Sequence, residues 1–80
     1  MPKLKILSGL EIISILKLFN FLTDSQKGSH IKLVRIKNGT REVLVIPNHK
    51  ELDKGTISGI YKQASKFISI QELQKHFYND

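Results

Sequence analysis

HIKLVRIKNGTREVLVIP, residues 30–47, reads as two antiparallel strands joined by a two-residue turn, and this stretch decides the fold. Asn38-Gly39 at its centre is the strongest hairpin signal in the chain, because a type I′ turn needs positive φ at both central residues. One strand therefore runs from His30 to Lys37, and the next runs from Arg41 to Ile46. Pro47 ends the second strand, since it has no N–H to give to a ladder. Val43-Leu44-Val45-Ile46 is apolar at consecutive positions, so both faces of this strand avoid water. Either mixed packing at the strand end or a partner lying over one face accounts for that pattern.

Upstream of the hairpin, Lys27-Gly28-Ser29 is a turn in which Gly28 supplies a positive φ, and Phe21 to Gln26 is a short strand entering it. Before that strand, Ser8 and Glu11 have the spacing of a capping box, with hydroxyl and carboxylate satisfying each other's backbone N–H groups. A helix from about Gly9 to Phe19 follows. It buries a stripe of Ile12, Ile13, Leu16 and Phe19 and wets Glu11, Ser14 and Lys17. Asn20 ends it, because asparagine tolerates the left-handed conformation.

Downstream, Asn48 to Lys54 is a polar loop, and Gly55-Thr56 opens a second helix with Ile57, Ile60, Tyr61 and Ala64 on one face. Thr56 is the expected N-cap of that helix, and its free amides offer a weak docking point for a phosphate. A second capping box, Ser69 with Glu72, starts a short terminal helix in which Leu73 and Phe77 close the core. The expected fold is α+β: helix, three antiparallel strands, helix, and a short C-terminal helix. That order places the main helices on one face of the sheet and leaves the other open.

Eighty residues suffice for one domain over residues 1–80 and leave no room for a second core. Thirteen Lys and Arg against seven Asp and Glu give a net charge of +6, which favours polyanionic partners, including nucleic acid, an anionic membrane or an acidic protein. Lys3 and Lys5 precede an apolar stretch in the manner of a signal peptide, but Glu11 and Lys17 interrupt it and no small-residue cleavage site follows. With no run long enough to span a membrane, a cytoplasmic protein without membrane attachment is expected. The absence of cysteine excludes disulfides and thiolate metal sites, and His30, His49 and His76 are too far apart in sequence to form a ligand pair, so no metal is expected.

No nucleotide-binding loop, serine elbow or glycosidase carboxylate couple is present. Lys27-Gly28-Ser29-His30 stands apart, because a turn delivers a histidine to the first position of a strand with Lys32 two residues later on the same face. An imidazole titrates near neutrality and moves protons, while a neighbouring ammonium holds a phosphate or stabilises charge developing on it. A histidine at a strand edge also serves as an ordinary surface or packing residue. His49 is expected to order its loop, and His76 to interact with the last turn of its helix.

From Leu7 to Ile70 the chain resembles the HicA toxin family, also described as YcfA-like proteins. The resemblance is carried, in order, by Leu7-Ser8-Gly9, Lys27-Gly28-Ser29-His30, Ile46-Pro47-Asn48-His49, and Lys54-Gly55-Thr56-Ile57 with Ile60 and Gln63-Ala64. It implies a fold like that of double-stranded-RNA-binding domains and cleavage of mRNA without a metal or other cofactor. It further implies His30 as the catalytic residue and a HicB-type antitoxin partner that blocks the active site. The chain departs from the family pattern at Asn20-Phe21, where Gly-Phe is usual, and at Ser25, where a basic residue often stands.

Together these readings nominate His30 as the catalytic residue and Lys27, Ser29 and Lys32 as RNA contacts. A noncatalytic RNA-binding module and a basic protein-interaction domain are the rival readings. A pure binder has no chemical need for a histidine after a glycine turn.

Overall fold

The structure is a computed structural model that describes residues 2–79. Its elements run β1 (Lys3–Leu4), α1 (Gly9–Lys17), β2 (Leu22–Lys27), β3 (His30–Lys37), β4 (Thr40–Pro47), α2 (Lys54–Ala64), α3 (Ile70–Phe77) and β5 (Tyr78–Asn79). β2, β3 and β4 form an antiparallel sheet in that order, so β2 and β4 are its two edges. The α+β architecture expected from the sequence is present, and it is consistent with the double-stranded-RNA-binding-domain-like fold.

Alternation along the strands sets the two faces of the sheet. Ile31, Leu33, Leu44 and Ile46 are buried beneath the helices, against Ile12, Ile13 and Leu16 of α1, Ile57, Ile60 and Ala64 of α2, and Leu73 and Phe77 of α3. Each such side chain removed from water contributes roughly 1.5–3 kcal/mol before the entropy of ordering is counted. The intervening residues, including Lys32, Val34, Val43 and Val45, turn to the open face.

The punctuation lies where local chemistry requires it. Ser8 and Glu11 form the capping box, with Glu11 N donating to Ser8 Oγ (3.1 Å) and Ser8 N to Glu11 Oε1 (2.9 Å). Asn38 (φ 53°) and Gly39 (φ 76°) both adopt positive φ in the hairpin, and Gly28 does so in the preceding turn (φ 60°).

α1 stops two residues earlier than its apolar stripe suggests. Asn20 (φ 72°) reverses the chain, and Phe21 N donates to Leu16 O (3.2 Å) while Asn20 N donates to Lys17 O (3.1 Å). This is the Schellman arrangement, which uses the orphan carbonyls of the last turn. Phe21 is therefore excluded from β2 and sits fully buried in the core.

Two features lay beyond the sequence reading. β1 and β5 pair antiparallel, Lys3 with Asn79 and Leu4 with Tyr78, and Lys5 N donates to Phe77 O (2.8 Å), which binds the two ends of the chain together. Arg35, on the core side of β3, donates from Nε to Glu42 Oε1 (2.6 Å), from Nη1 to Phe19 O (3.0 Å) and from Nη2 to Phe67 O (2.9 Å). Its guanidinium also lies 4.8 Å from the centre of the Phe21 ring. One side chain thus joins two strands to the turns that follow α1 and α2.

Candidate functional site

His30 is the first residue of β3 and stands between two register partners, Lys27 on β2 and Pro47 on β4. Lys32, two residues on, pairs with Ser25 on one side and Val45 on the other. Paired residues of an antiparallel sheet share a face. The structure therefore brings Lys27, His30 and Lys32 together on the open face, opposite the buried Ile31 and Leu33. His30 and Lys27 are exposed and Lys32 is half-buried. Among the described residues no hydrogen bond or ion pair engages the imidazole.

Ser29 is half-buried in the turn, and its carbonyl accepts from Asn48 N (2.6 Å), which carries the β3–β4 ladder one step past His30. Gln26 Nε2 donates to Gly28 O (3.0 Å) and braces the same turn from within β2. The backbone carrying His30 is thus held from both neighbouring strands while the ring remains free to meet a ligand.

A second support was not foreseen from the sequence. Gly9 N donates to His49 O (2.9 Å), and a Cβ on Gly9 would overlap the carbonyl of Pro47. The N-terminus of α1 and the end of β4 therefore touch backbone to backbone, directly behind the residue paired with His30. Three short motifs far apart in sequence, around Ser8-Gly9, Ser29-His30 and Pro47-His49, meet at one end of the sheet. The local signal for Gly9 was only that of a residue following an N-cap, and its steric role depends on a loop about 40 residues away.

His49 is exposed, and its backbone, through Gly9 and through its own N–H on Pro47 O (3.0 Å), shapes the loop as expected. His76 packs edge-on against Phe19 with ring centres 5.6 Å apart. It also stands, with Lys75, in the last turn of α3, the position expected for it. α2 is capped by Asp53, not Thr56: Asp53 Oδ1 accepts from Thr56 N at 2.7 Å. Hydrogen bonds from the Thr56 backbone and then its side chain hold the Asp53 carboxyl below the ordinary carboxylate range. The carboxylate already occupies the helix start that the sequence offered to a phosphate. Burial, and next the neighbouring Tyr78, push the Tyr61 hydroxyl above its usual value.

Beside the histidine, a cleft of about 460 Å³ runs between the free edge of β4 and α2, bordered by His30, Val43, Val45, Pro47, Thr56 and Gln63. Among the described residues no three His, Asp or Glu side chains are grouped so as to hold a metal ion. No helix among them is long and apolar enough to cross a membrane.

The arrangement combines an exposed imidazole, two ammonium groups and an adjoining cleft on a basic protein. A family model described as HicA toxin of bacterial toxin-antitoxin matches residues 9–65, a span that holds every residue of this cluster. No curated protein and no solved structure matches the chain. The match covers well over half of the sequence and joins the motifs that meet around His30, so the chain belongs to the HicA toxin family of bacterial toxin-antitoxin systems.

Proposed function

We propose that this toxin is an endoribonuclease that cuts mRNA in the cytoplasm without a metal or other cofactor, using His30 to transfer a proton. The observation that carries this reading is the position of His30 on the open face between Lys27 and Pro47, with Lys32 two residues along the same strand. In the proposed reaction the ribose 2′-hydroxyl attacks the adjacent phosphorus, the P–O5′ bond breaks, and a 2′,3′-cyclic phosphate and a 5′-hydroxyl result. His30 serves at the proton-transfer step, taking the proton from the 2′-oxygen or giving one to the departing 5′-oxygen. Lys27 and Lys32 offset the extra negative charge of the pentacoordinate transition state. Ser29 contributes through the turn it shapes and through its hydroxyl beside the phosphate path.

An exposed, unpartnered imidazole suits this role. It is oriented by the bound RNA itself, and its ring nitrogens are not engaged by the protein's own hydrogen bonds, so they are available to take or give a proton. A HicB-type antitoxin would silence the enzyme by covering the same face. The test is cleavage of a defined RNA in EDTA by the wild-type chain and by His30→Ala, with product ends analysed for the cyclic phosphate. Cleavage by the wild-type chain alone supports the reading. RNA binding with no cleavage by either protein would point to a noncatalytic RNA-binding module instead.

A further inference from the structure

The two edges of the sheet are built in opposite ways. β2 shows Thr23, Asp24, Ser25, Gln26 and Lys27 to solvent and carries a bulge between Thr23 and Ser25. Charged residues and bulges are the devices that keep an edge strand from pairing with another chain. β4 has no bulge, and its two charged residues, Arg41 and Glu42, lie at the hairpin end, Glu42 being engaged by Arg35. Its register with β3 is unbroken from Thr40 to Pro47, and Val43-Leu44-Val45-Ile46 is entirely apolar, with Val45 still 48% exposed.

The backbone of this edge is open. The two-residue turn makes Lys37 and Thr40 a hydrogen-bonded pair, and the bond from Asn48 N to Ser29 O fixes the same phase at the other end. Leu44 and Ile46 therefore spend their N–H and C=O groups on β3, while those of Val43 and Val45 point outward into the cleft. Outside the ladder, no hydrogen bond reaches them among the described residues. Across the cleft lies the face of α2 that carries Thr56, Gly59 and Gln63. Gly59 is unexplained by the chain's own packing, because it has ordinary φ and a Cβ there would meet nothing within 4 Å. A glycine inside a helix costs roughly 0.5–1 kcal/mol relative to alanine, so its use here keeps a recess open opposite the free edge.

We infer that an extended segment of the antitoxin adds to the sheet as a fourth strand along β4, between that edge and α2, with its end lying against His30. This rests on the toxin-antitoxin reading and specifies how the partner docks. Val43 and Val45 offer a donor and an acceptor each at a spacing of roughly 7 Å, the two-residue repeat of a peptide strand. The phosphodiester groups of RNA carry acceptors and no donors, which leaves only its 2′-hydroxyls to meet the outward carbonyls. The net charge of +6, with His30 bordering the cleft and Lys32 and Lys27 beyond it on the same face of the sheet, calls for acidic side chains on the segment. A second copy of this chain would bring like charges together at that point. Apolar side chains of the added strand would alternate with the acidic ones and face the Gly59 recess.

The experiment is amide hydrogen exchange by NMR on the labelled chain, alone and in complex with its cognate antitoxin. In the free chain the Val43 and Val45 amides exchange quickly while those of Leu44 and Ile46 are protected. In the complex the first two slow by roughly 100-fold or more, as amides in stable ladders do. Val45→Pro removes one outward N–H at an edge position where proline is tolerated, and weakens the complex at least about tenfold with the circular dichroism spectrum retained. Fast exchange at both valines within a formed complex would overturn the inference. Protection that grows with the concentration of the free chain would assign the edge to a second copy, and protection by a 2′-O-methyl RNA oligonucleotide would assign it to nucleic acid; either would also overturn it. Failure to form any complex would overturn it together with the antitoxin pairing. Since no arm measures cleavage, loss of the ribonuclease reading would leave the result unaffected.

Discussion

Gly9 and Pro47 are in backbone contact: the ideal Cβ position of Gly9 lies 3.0 Å from the Pro47 carbonyl carbon and closer still to its oxygen, while Gly9 N donates to the next carbonyl but one, that of His49. Pro47 is in turn the cross-strand partner of His30. The start of the first helix is thereby tied to the residue beside the proposed catalytic group.

Gly9→Ala is accordingly expected to reverse the usual effect of alanine in a helix. Alanine normally stabilises a helical position by roughly 0.5–1 kcal/mol, but here the added methyl must displace the backbone of Pro47 and Asn48. A loss of about 1–3 kcal/mol in chemical unfolding is expected, of the size seen for overpacked cores. RNA cleavage should fall with it at temperatures where the fold is retained, because the partner of His30 shifts. A stability gain would show that the backbone there relaxes without cost.

His30→Ala is expected to abolish RNA cleavage and growth arrest while leaving the thermal unfolding curve and RNA affinity close to those of the wild type. The loss of a positioned proton-transfer group costs about 10² to 10⁴ in rate. His49→Ala should cost far less, since His49 shapes its loop through its backbone. Wild-type cleavage by purified His30→Ala would refute the assignment.

Lys32→Ala is expected to weaken RNA binding and to lower its salt dependence by roughly 0.7 in the log–log slope, the amount for one phosphate that is no longer neutralised. Titrations of a non-cleavable RNA at several salt concentrations read this directly. A slope identical to that of the wild type would remove Lys32 from the RNA footprint.

Arg35→Lys is expected to behave as a disruptive change despite keeping the charge. A lysine ammonium cannot reach Glu42, the Phe19 carbonyl and the Phe67 carbonyl at once, and it loses the guanidinium's place over the Phe21 ring. Arg35→Ala additionally strands Glu42, whose side chain is only 12% exposed, and should cost about 3 kcal/mol or more. Urea denaturation with both variants checks the order: wild type, then Lys, then Ala.

Asp53 gives a pH dependence with a defined sign. Its folded-state pKa lies below the ordinary value of 3.8 because Thr56 donates to the carboxylate. The cap therefore contributes its ionised-state stability above that value and loses it as the pH falls through the lower, folded-state pKa. Asp53→Asn keeps a capping oxygen without the titration, so its melting temperature should lie below that of the wild type at neutral pH and converge on it in acid. A constant gap across that range would show that the carboxylate charge is not what stabilises α2.

The local elements were legible in the sequence wherever neighbouring residues carried the whole instruction. Asn38-Gly39 set the hairpin, Ser8 with Glu11 set the first helix start as a full capping box, and Ser69 set the last one as an N-cap, although Glu72 there accepts from the Ser69 hydroxyl and not from its backbone N–H. The same reading put His30 and Lys32 on one face, since strand periodicity fixes that relation, whereas Lys27, read as part of the turn, joined them only through its register with His30. Asp53 in place of Thr56 as the cap of α2 was a near miss, because both residues can accept from a helix amide and only the path of the loop selects between them. The approach of Gly9 to Pro47, the bonds of Arg35 to the turns after two helices, the pairing of β1 with β5 and the open edge of β4 were decided by the tertiary structure alone. Each joins segments many residues apart, or depends on which strand lacks a neighbour, and no local propensity encodes a distance that is set only when the helices settle on the sheet.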